Sequence, residues 1–455
     1  MIVPKHIGSL VKYRGAAIIF VLLALCPSLT QAQHWPRFRG PNGQGISQTK
    51  GIPAKWSQTD YAWKTDLRGT GHSSPIVWNN VVFVTSADPA SAGASAETSE
   101  NAAQGIVQAL NIVDGTELWH KRYELSTYKM NRDNTYATAT PAVDDEHVYV
   151  LWPTANQTII AALDHSGNEI WKRTFQGTSN QHGPGSSPVV CDDPSTQLRT
   201  GIVVFTIEHE QADPPRQAQS LWIAVDRKSG QTRWELPRNT SAKTSYSTPC
   251  LYQPVGGKPQ LIFTSLAHGI SAVDPSSGKV VWEAGSALIS RVVSSPVIAD
   301  DPSTPLRASL IIAACGDAGA GKRLIAVKPN PDAPQPTEVY KIDESAMPYV
   351  PTSLAKDGLL FTFHDRGEVS CLRSATGELL WRQKPTGRIY GSPVWVDGKL
   401  YCINLAGDVV VVRASDKYEL LAINPLGEKS GATPAVGAGR MLLRTYSKLF
   451  CIAAR

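Results

Sequence analysis

Short apolar runs separated by turn-forming residues occupy most of the chain, and one phrase of this pattern recurs. It is an apolar strand ending Ala-Leu/Val-Asp, then a turn with Gly, then a strand that carries Trp. The phrase reads Ala162-Leu163-Asp164-His165-Ser166-Gly167-Asn168-Glu169-Ile170-Trp171, and returns as Ala224-Val225-Asp226 to Trp234 and Ala272-Val273-Asp274 to Trp282. Weaker copies run Ala109-Leu110-Asn111 to Trp119 and Cys371-Leu372-Arg373 to Trp381. Two degenerate copies run Ala326-Val327-Lys328 to Tyr340 and Val411-Val412-Arg413 to Leu420. The Asp-x-x-x-Gly segment predicts a hairpin turn in which glycine takes positive φ. The Trp ring is expected to lie buried between neighbouring units.

A second phrase, a small polar residue followed by proline, opens each unit. The prolines are Pro75, Pro141, Pro188, Pro249, Pro296, Pro351, Pro393 and Pro434. Their separations, mostly 41 to 61 residues, with several short strands in each, match the blades of a β-propeller. Proline at the start of an innermost strand withdraws no ladder donor. The ends complete the count: Ala62-Trp63-Lys64 has a Trp strand with nothing before it, and Leu449-Phe450-Cys451-Ile452 has the preceding strand with nothing after it. Joined, they make one blade and remove two exposed edges. The pattern therefore predicts an all-β fold, an eight-bladed β-propeller of four-stranded antiparallel blades, its ring closed by pairing N- and C-terminal strands.

The third and fifth blades are close relatives, since Ser186–Phe205 and Ser294–Ala313 share eleven of twenty residues. Their paired aspartates, Asp192/Asp193 and Asp300/Asp301, can be read as calcium ligands, but turn chemistry explains them as well and is preferred. The Ala- and Ser-rich stretch 86–105 reads as an insertion, and 329–336 as a surface loop.

Composition changes the picture mainly at the N-terminus. Lys5, Lys12 and Arg14, the apolar run Ala16–Leu25 and Thr30-Gln31-Ala32 together predict a signal peptide over 1–32, cleaved near Ala32. The apolar run is too short for a stable membrane span. Cys26 follows Leu25, where a lipidation site wants a small residue. Cleavage leaves an extension, 33–55, ahead of the propeller at 56–455, and takes the net charge from +5 to +2 by removing three basic residues. That balance gives no reason to expect a nucleic-acid partner. The signal peptide predicts an exported protein, periplasmic or extracellular, and the propeller is expected to be a monomer. Six cysteines remain, with fifteen conceivable full pairings. They lie in or beside apolar strands, lack C-x-x-C spacing and so read chiefly as core thiols.

Side chains one, three and five positions before each repeating proline share a face of the innermost strand and should line the central channel. At one before stand Ser74, Thr140, Ser187, Thr248, Ser295, Val350, Ser392 and Thr433. At three before stand His72, Tyr246 and Tyr390; at five before, Tyr136, Arg291, Arg388 and Lys429, with Thr70 and Thr244. These seven larger side chains form the candidate binding site at a channel mouth. Such a set suits a small anionic or polyhydroxylated ligand. His182 and His209, on loops, are candidates to join it. No carboxylate occupies these strand positions, which weighs against catalysis there. The alternative is that the hydroxyls serve strand-end backbone groups.

The Ala-x-Asp-x-x-x-Gly-x-x-x-Trp phrase, best at 162–171, 224–234 and 272–282, resembles the repeat of quinoprotein-alcohol-dehydrogenase-like propellers, named for pyrroloquinoline quinone (PQQ). The opening Trp35-Pro36-Arg37-Phe38-Arg39-Gly40-Pro41-Asn42-Gly43 is similar to the start of many exported members. The resemblance implies either a PQQ- and calcium-dependent alcohol or sugar dehydrogenase, or a cofactor-free binding propeller of the BamB type. The adjacent Cys-Cys pair of the larger dehydrogenases is absent, and their calcium ligands and Asp base cannot be placed by motif. The expectation is thus a non-catalytic propeller that binds a protein partner or a small ligand. A quinoprotein dehydrogenase and a carbohydrate-binding propeller acting through Tyr246 and Tyr390 are the alternatives.

Overall fold

Eight sheets succeed one another along the chain, each built on a four-stranded antiparallel blade of a propeller, and blade 7 gains a fifth, parallel strand, Ile46–Ser47, at its inner edge. The computed structural model describes residues 1–2 and 34–455, except 89–102, 127, 129, 132, 179, 181, 192–199, 212–218, 301–308, 318–320 and 331–332, and except the side chain of Asp300. The segment expected to be a leader, apart from residues 1–2, most of the 86–105 insertion and the aspartates at 192, 193 and 301 lie outside the described residues. No helix among the described residues is long and apolar enough to cross a membrane.

Blade 1 runs from its innermost strand, Ile76–Trp78, to its outermost, Glu117–Leu125, and the next six follow in the same sense. Blade 8 takes three strands from the C-terminus and its outermost, Tyr61–Asp66, from the N-terminus. The split blade inferred from the chain ends is therefore the one that closes the ring. The middle strands are buried almost throughout, because each sheet face packs on its neighbour and leaves no polar face. The six cysteines among the described residues are all buried within these layers. Burial pushes the thiols of Cys250 and Cys371 up to about 12 and that of Cys451 to about 11, so they stay protonated.

The recurrent phrase works between blades. In all eight blades the register slips by one residue, a β-bulge, just before the Trp position. In blade 2 the bulge sets Trp171 opposite Ala162, and the indole Nε1–H donates to the Arg227 carbonyl in blade 3 at 3.0 Å. Gly230 of that blade lies against the ring at φ +68°; a Cβ there would come within 2.7 Å of the indole. Trp63, Trp119 and Trp234 dock in the same way on the turns carrying Gly115, Gly167 and Gly278. Tyr340 does so on Gly377.

The degenerate copies have structural reasons. Blade 5 replaces the glycine turn with the 329–336 loop, so Trp282 turns its Nε1–H to Gln260 of its own blade, at 2.9 Å. Blade 8 has no hairpin at this place, since its outer strand comes from the other terminus. The Trp position of blade 7 has no turn to dock on, and it is Ala422, paired with Val411. The sequence pattern set Leu420 there; the bulge shifts the position by two. Residues 52–56 cover this side of blade 7 instead: Tyr401 donates to the Ile52 carbonyl at 3.0 Å, and Asn424 bonds Ala54 and Trp56.

Candidate functional site

The innermost strands run from one face of the ring, here the mouth, to the other, the base. Where each begins, a side-chain hydroxyl accepts the backbone N–H of the preceding blade. Ser74 N–H donates to Thr140, Thr140 to Ser187, Ser187 to Thr248, Thr248 to Ser295, Ser295 to Thr352, Thr352 to Ser392, Ser392 to Thr433, and Thr433 back to Ser74, all at 2.9–3.1 Å. Serine and threonine alternate without a break. The blade 6 member is Thr352, not Val350 as the repeating proline suggested; Pro351 lies two residues ahead of the equivalent position, which Ser353 occupies. The hydroxyls thus do serve backbone groups, while all eight also line the channel. Such N–H groups left buried and unpaired would each cost about 1–3 kcal/mol.

Below this ring the channel is stoppered by residues 35–47. Trp35 exchanges two backbone bonds with Val77 of blade 1. The Pro36 carbonyl accepts from Val143 of blade 2 at 2.8 Å. Arg37 donates to the Pro249 carbonyl of blade 4 at 2.6 Å, and Arg39 to the Ser353 carbonyl of blade 6 at 2.8 Å. Asn42 bonds both backbone groups of Leu251, and Gln44 accepts from Ile298 of blade 5 at 3.0 Å. Ile46–Ser47 then pairs in parallel with Trp395 and Val396 of blade 7. Both arginines are buried, and burial lowers Arg39 to about 9. Six blades are held by one segment, and Phe38 projects from it to floor the channel. The channel is therefore a cup of about 420 Å³, open at the mouth.

The structure brings five of the seven candidate side chains to the cup: His72, Tyr246, Arg291, Arg388 and Tyr390. Two are elsewhere. Tyr136 turns its hydroxyl into the backbone of Tyr128, donating to the carbonyl and accepting from the N–H at 2.9 Å each, so it braces the loop after blade 1. Lys429 is exposed and lies over the Tyr446 ring, its Nζ 4.4 Å from the centroid. His182 does line the cup, edge-on to Tyr246 and bonded to Arg291. His209, buried beside Gln176, does not. His72 sits beside Gly431 and is held down to about 4 by burial and by the charges of Arg444 and Lys429, so its ring is neutral.

Carboxylates also reach the cup, which the strand positions did not foretell. Asp133, from the loop between blades 1 and 2, stands 3.8 Å from Arg388, and Asp317, from a loop of blade 5, pairs with Lys243. Behind the lining, Arg291 holds Glu210 at 2.8 Å. Arg388 also bonds the Tyr390 hydroxyl and lies over its ring. The mouth is charged but balanced.

A family model described as outer membrane protein assembly factor BamB matches residues 55–135, 103–330 and 343–433. The chain belongs to this family of PQQ-like repeat propellers. No curated protein matches the sequence significantly. Among solved structures, a quinohemoprotein alcohol dehydrogenase from Pseudomonas putida superposes with a TM-score of 0.53 at 14% identity, over 93% of this chain and 80% of that one. The quinohemoprotein alcohol dehydrogenase from Comamonas testosteroni gives 0.50 at 13%, with the same coverage. The Sqt1 protein of Saccharomyces cerevisiae gives 0.57 at 8%, over 87% and 98%. At such identities these likenesses establish the propeller fold alone.

Proposed function

We propose that the chain is an exported, monomeric propeller that binds a small polar ligand in the channel cup and has no catalytic role. The observation that carries this reading is the stopper at 35–47, which turns an open channel into a closed-ended site of ligand size. The leader at 1–32, cleaved near Ala32, supplies the export. A protein partner would have to engage the mouth loops instead.

The family resemblance raises PQQ with calcium, and the residues present do not fit that pair. Calcium takes six to eight oxygen donors, several of them carboxylates. Among the described residues no group of three or more His, Cys, Asp or Glu side chains is placed to hold a metal ion. The two carboxylates of the cup are already set against cations.

The test equilibrates the mature protein with a mixture of polar metabolites, removes excess by gel filtration and identifies what is retained by mass spectrometry. Val350→Trp, which sets an indole in the cup two residues before the hydroxyl ring, is run in parallel. Retention by the wild type and loss in a folded Val350→Trp protein is expected. No retained compound, or equal retention in both, overturns the reading. Co-elution of added PQQ and calcium with dye reduction by alcohols would do so in favour of a dehydrogenase.

A further inference from the structure

Taking the cup as the binding site, we propose that its ligand is an uncharged polyhydroxylated molecule, a small sugar, gripped across the ion pairs of the mouth. Charge sets the first limit. Two arginines line the cup, and alone they would call for an anion. Two aspartates line it as well: Asp133 beside Arg388, and Asp317 paired with Lys243. The more buried Arg291 is neutralised by Glu210. An entering anion meets Asp133 and Asp317; an entering cation meets the two guanidinium groups. A neutral hydroxyl meets neither penalty. It can accept from Arg388 and donate to Asp133, and each of those bonds is charge-assisted.

The deeper levels favour the same class. Each oxygen of the hydroxyl ring accepts a backbone N–H from the preceding blade, which leaves its own proton to donate. That is a circle of donors for the oxygens of a polyol. Between ring and mouth stand Tyr246, Tyr349 and Tyr390, with Phe38 as the floor, an aromatic lining against which the C–H groups of a sugar ring can pack. The volume, about 420 Å³, lies near the lower end of the roughly 300–1,000 Å³ usual for small-molecule sites.

The test is titration calorimetry with glucose, galactose and maltose, against gluconate and galacturonate as anionic analogues and glucosamine as the cationic one. A neutral sugar is expected to bind at least about tenfold tighter than its charged analogues, with an affinity unmoved by added sodium chloride. Asp133→Ala and Arg388→Ala should each weaken it about tenfold or more, the usual effect of losing a hydrogen bond to a charged group. An anionic analogue that binds tighter and weakens with salt, or glucosamine binding best, overturns the assignment. If a ligand is retained by wild type but not by Val350→Trp, and no sugar binds, the cup stands and the sugar falls. If nothing is retained, both fall together.

Discussion

The two ends of the channel are built by opposite means. At the base one continuous segment crosses the axis, and its polar groups bond the backbone of six blades in a buried setting, Arg37 and Arg39 included. At the mouth separate loops each contribute one or two charged side chains, and Arg388 and Asp133 stay half exposed, at 56% and 44%. Buried polar groups that satisfy one another define geometry and tolerate little change. Exposed ion pairs contribute little to stability and remain available to a ligand. The base therefore sets the depth of the cup, and the mouth sets what enters it.

The largest expected effect is at the base. Gly40 holds φ +67°, and a Cβ there would lie 2.4 Å from the Trp35 ring. Gly40→Val should cost about 3 kcal/mol or more in guanidinium denaturation and abolish ligand retention. Wild-type behaviour would make the stopper a passive tail and break the comparison.

Next comes pH. His72 titrates near 4 in the fold against 6.5 in the unfolded chain, so the unfolded state takes the proton first as pH falls. The stability it contributes is complete above 6.5 and is lost as pH drops towards 4. Because His72 is partly exposed the effect is about 2 kcal/mol. Glu208, raised by desolvation to about 7, acts oppositely, losing stability as pH rises from 4.5 to 7. The quantity to follow is therefore the difference between wild type and His72→Gln across pH 4 to 6.5. Parallel curves would mean that the surroundings of His72 do not disfavour its proton.

Smaller again is a single link of the hydroxyl ring. Thr433→Val strands the Ser392 N–H and should cost about 1–2 kcal/mol in the same denaturation assay. A null result would mean that water replaces the hydroxyl. Smallest is the mouth itself: Arg388→Ala should change stability by less than about 0.5 kcal/mol while weakening the sugar about tenfold. A loss of stability as large as that of the base would erase the distinction between the two ends.

Much of the architecture was legible because propeller blades are local. Asp-turn-Gly and the following Trp fall within one hairpin, and the residues that dock Trp171 are another copy of the same phrase. The pattern slipped where local chemistry misled. Pro351 imitates the repeating proline two residues early, though the Ser/Thr alternation around the ring was the signal that could have pointed to Thr352. Leu420 took the place of Ala422 because the outer position of blade 7 faces no turn. Asp133 and Asp317 come from loops with no period to align. Arg37 and Arg39 belong to no repeating phrase, and nothing local announces partners more than two hundred residues away.

The sequence by itself determined the number of blades, the split blade that closes the ring and the hydroxyl face of the channel, since each follows from a short-range pattern repeated around a circle. Only the tertiary structure decided that the channel has a floor, that its mouth is charge-balanced and that Tyr136 and Lys429 stand outside it. Those features arise where loops and the N-terminal segment, remote along the chain, meet at the axis, and no local periodicity records that meeting.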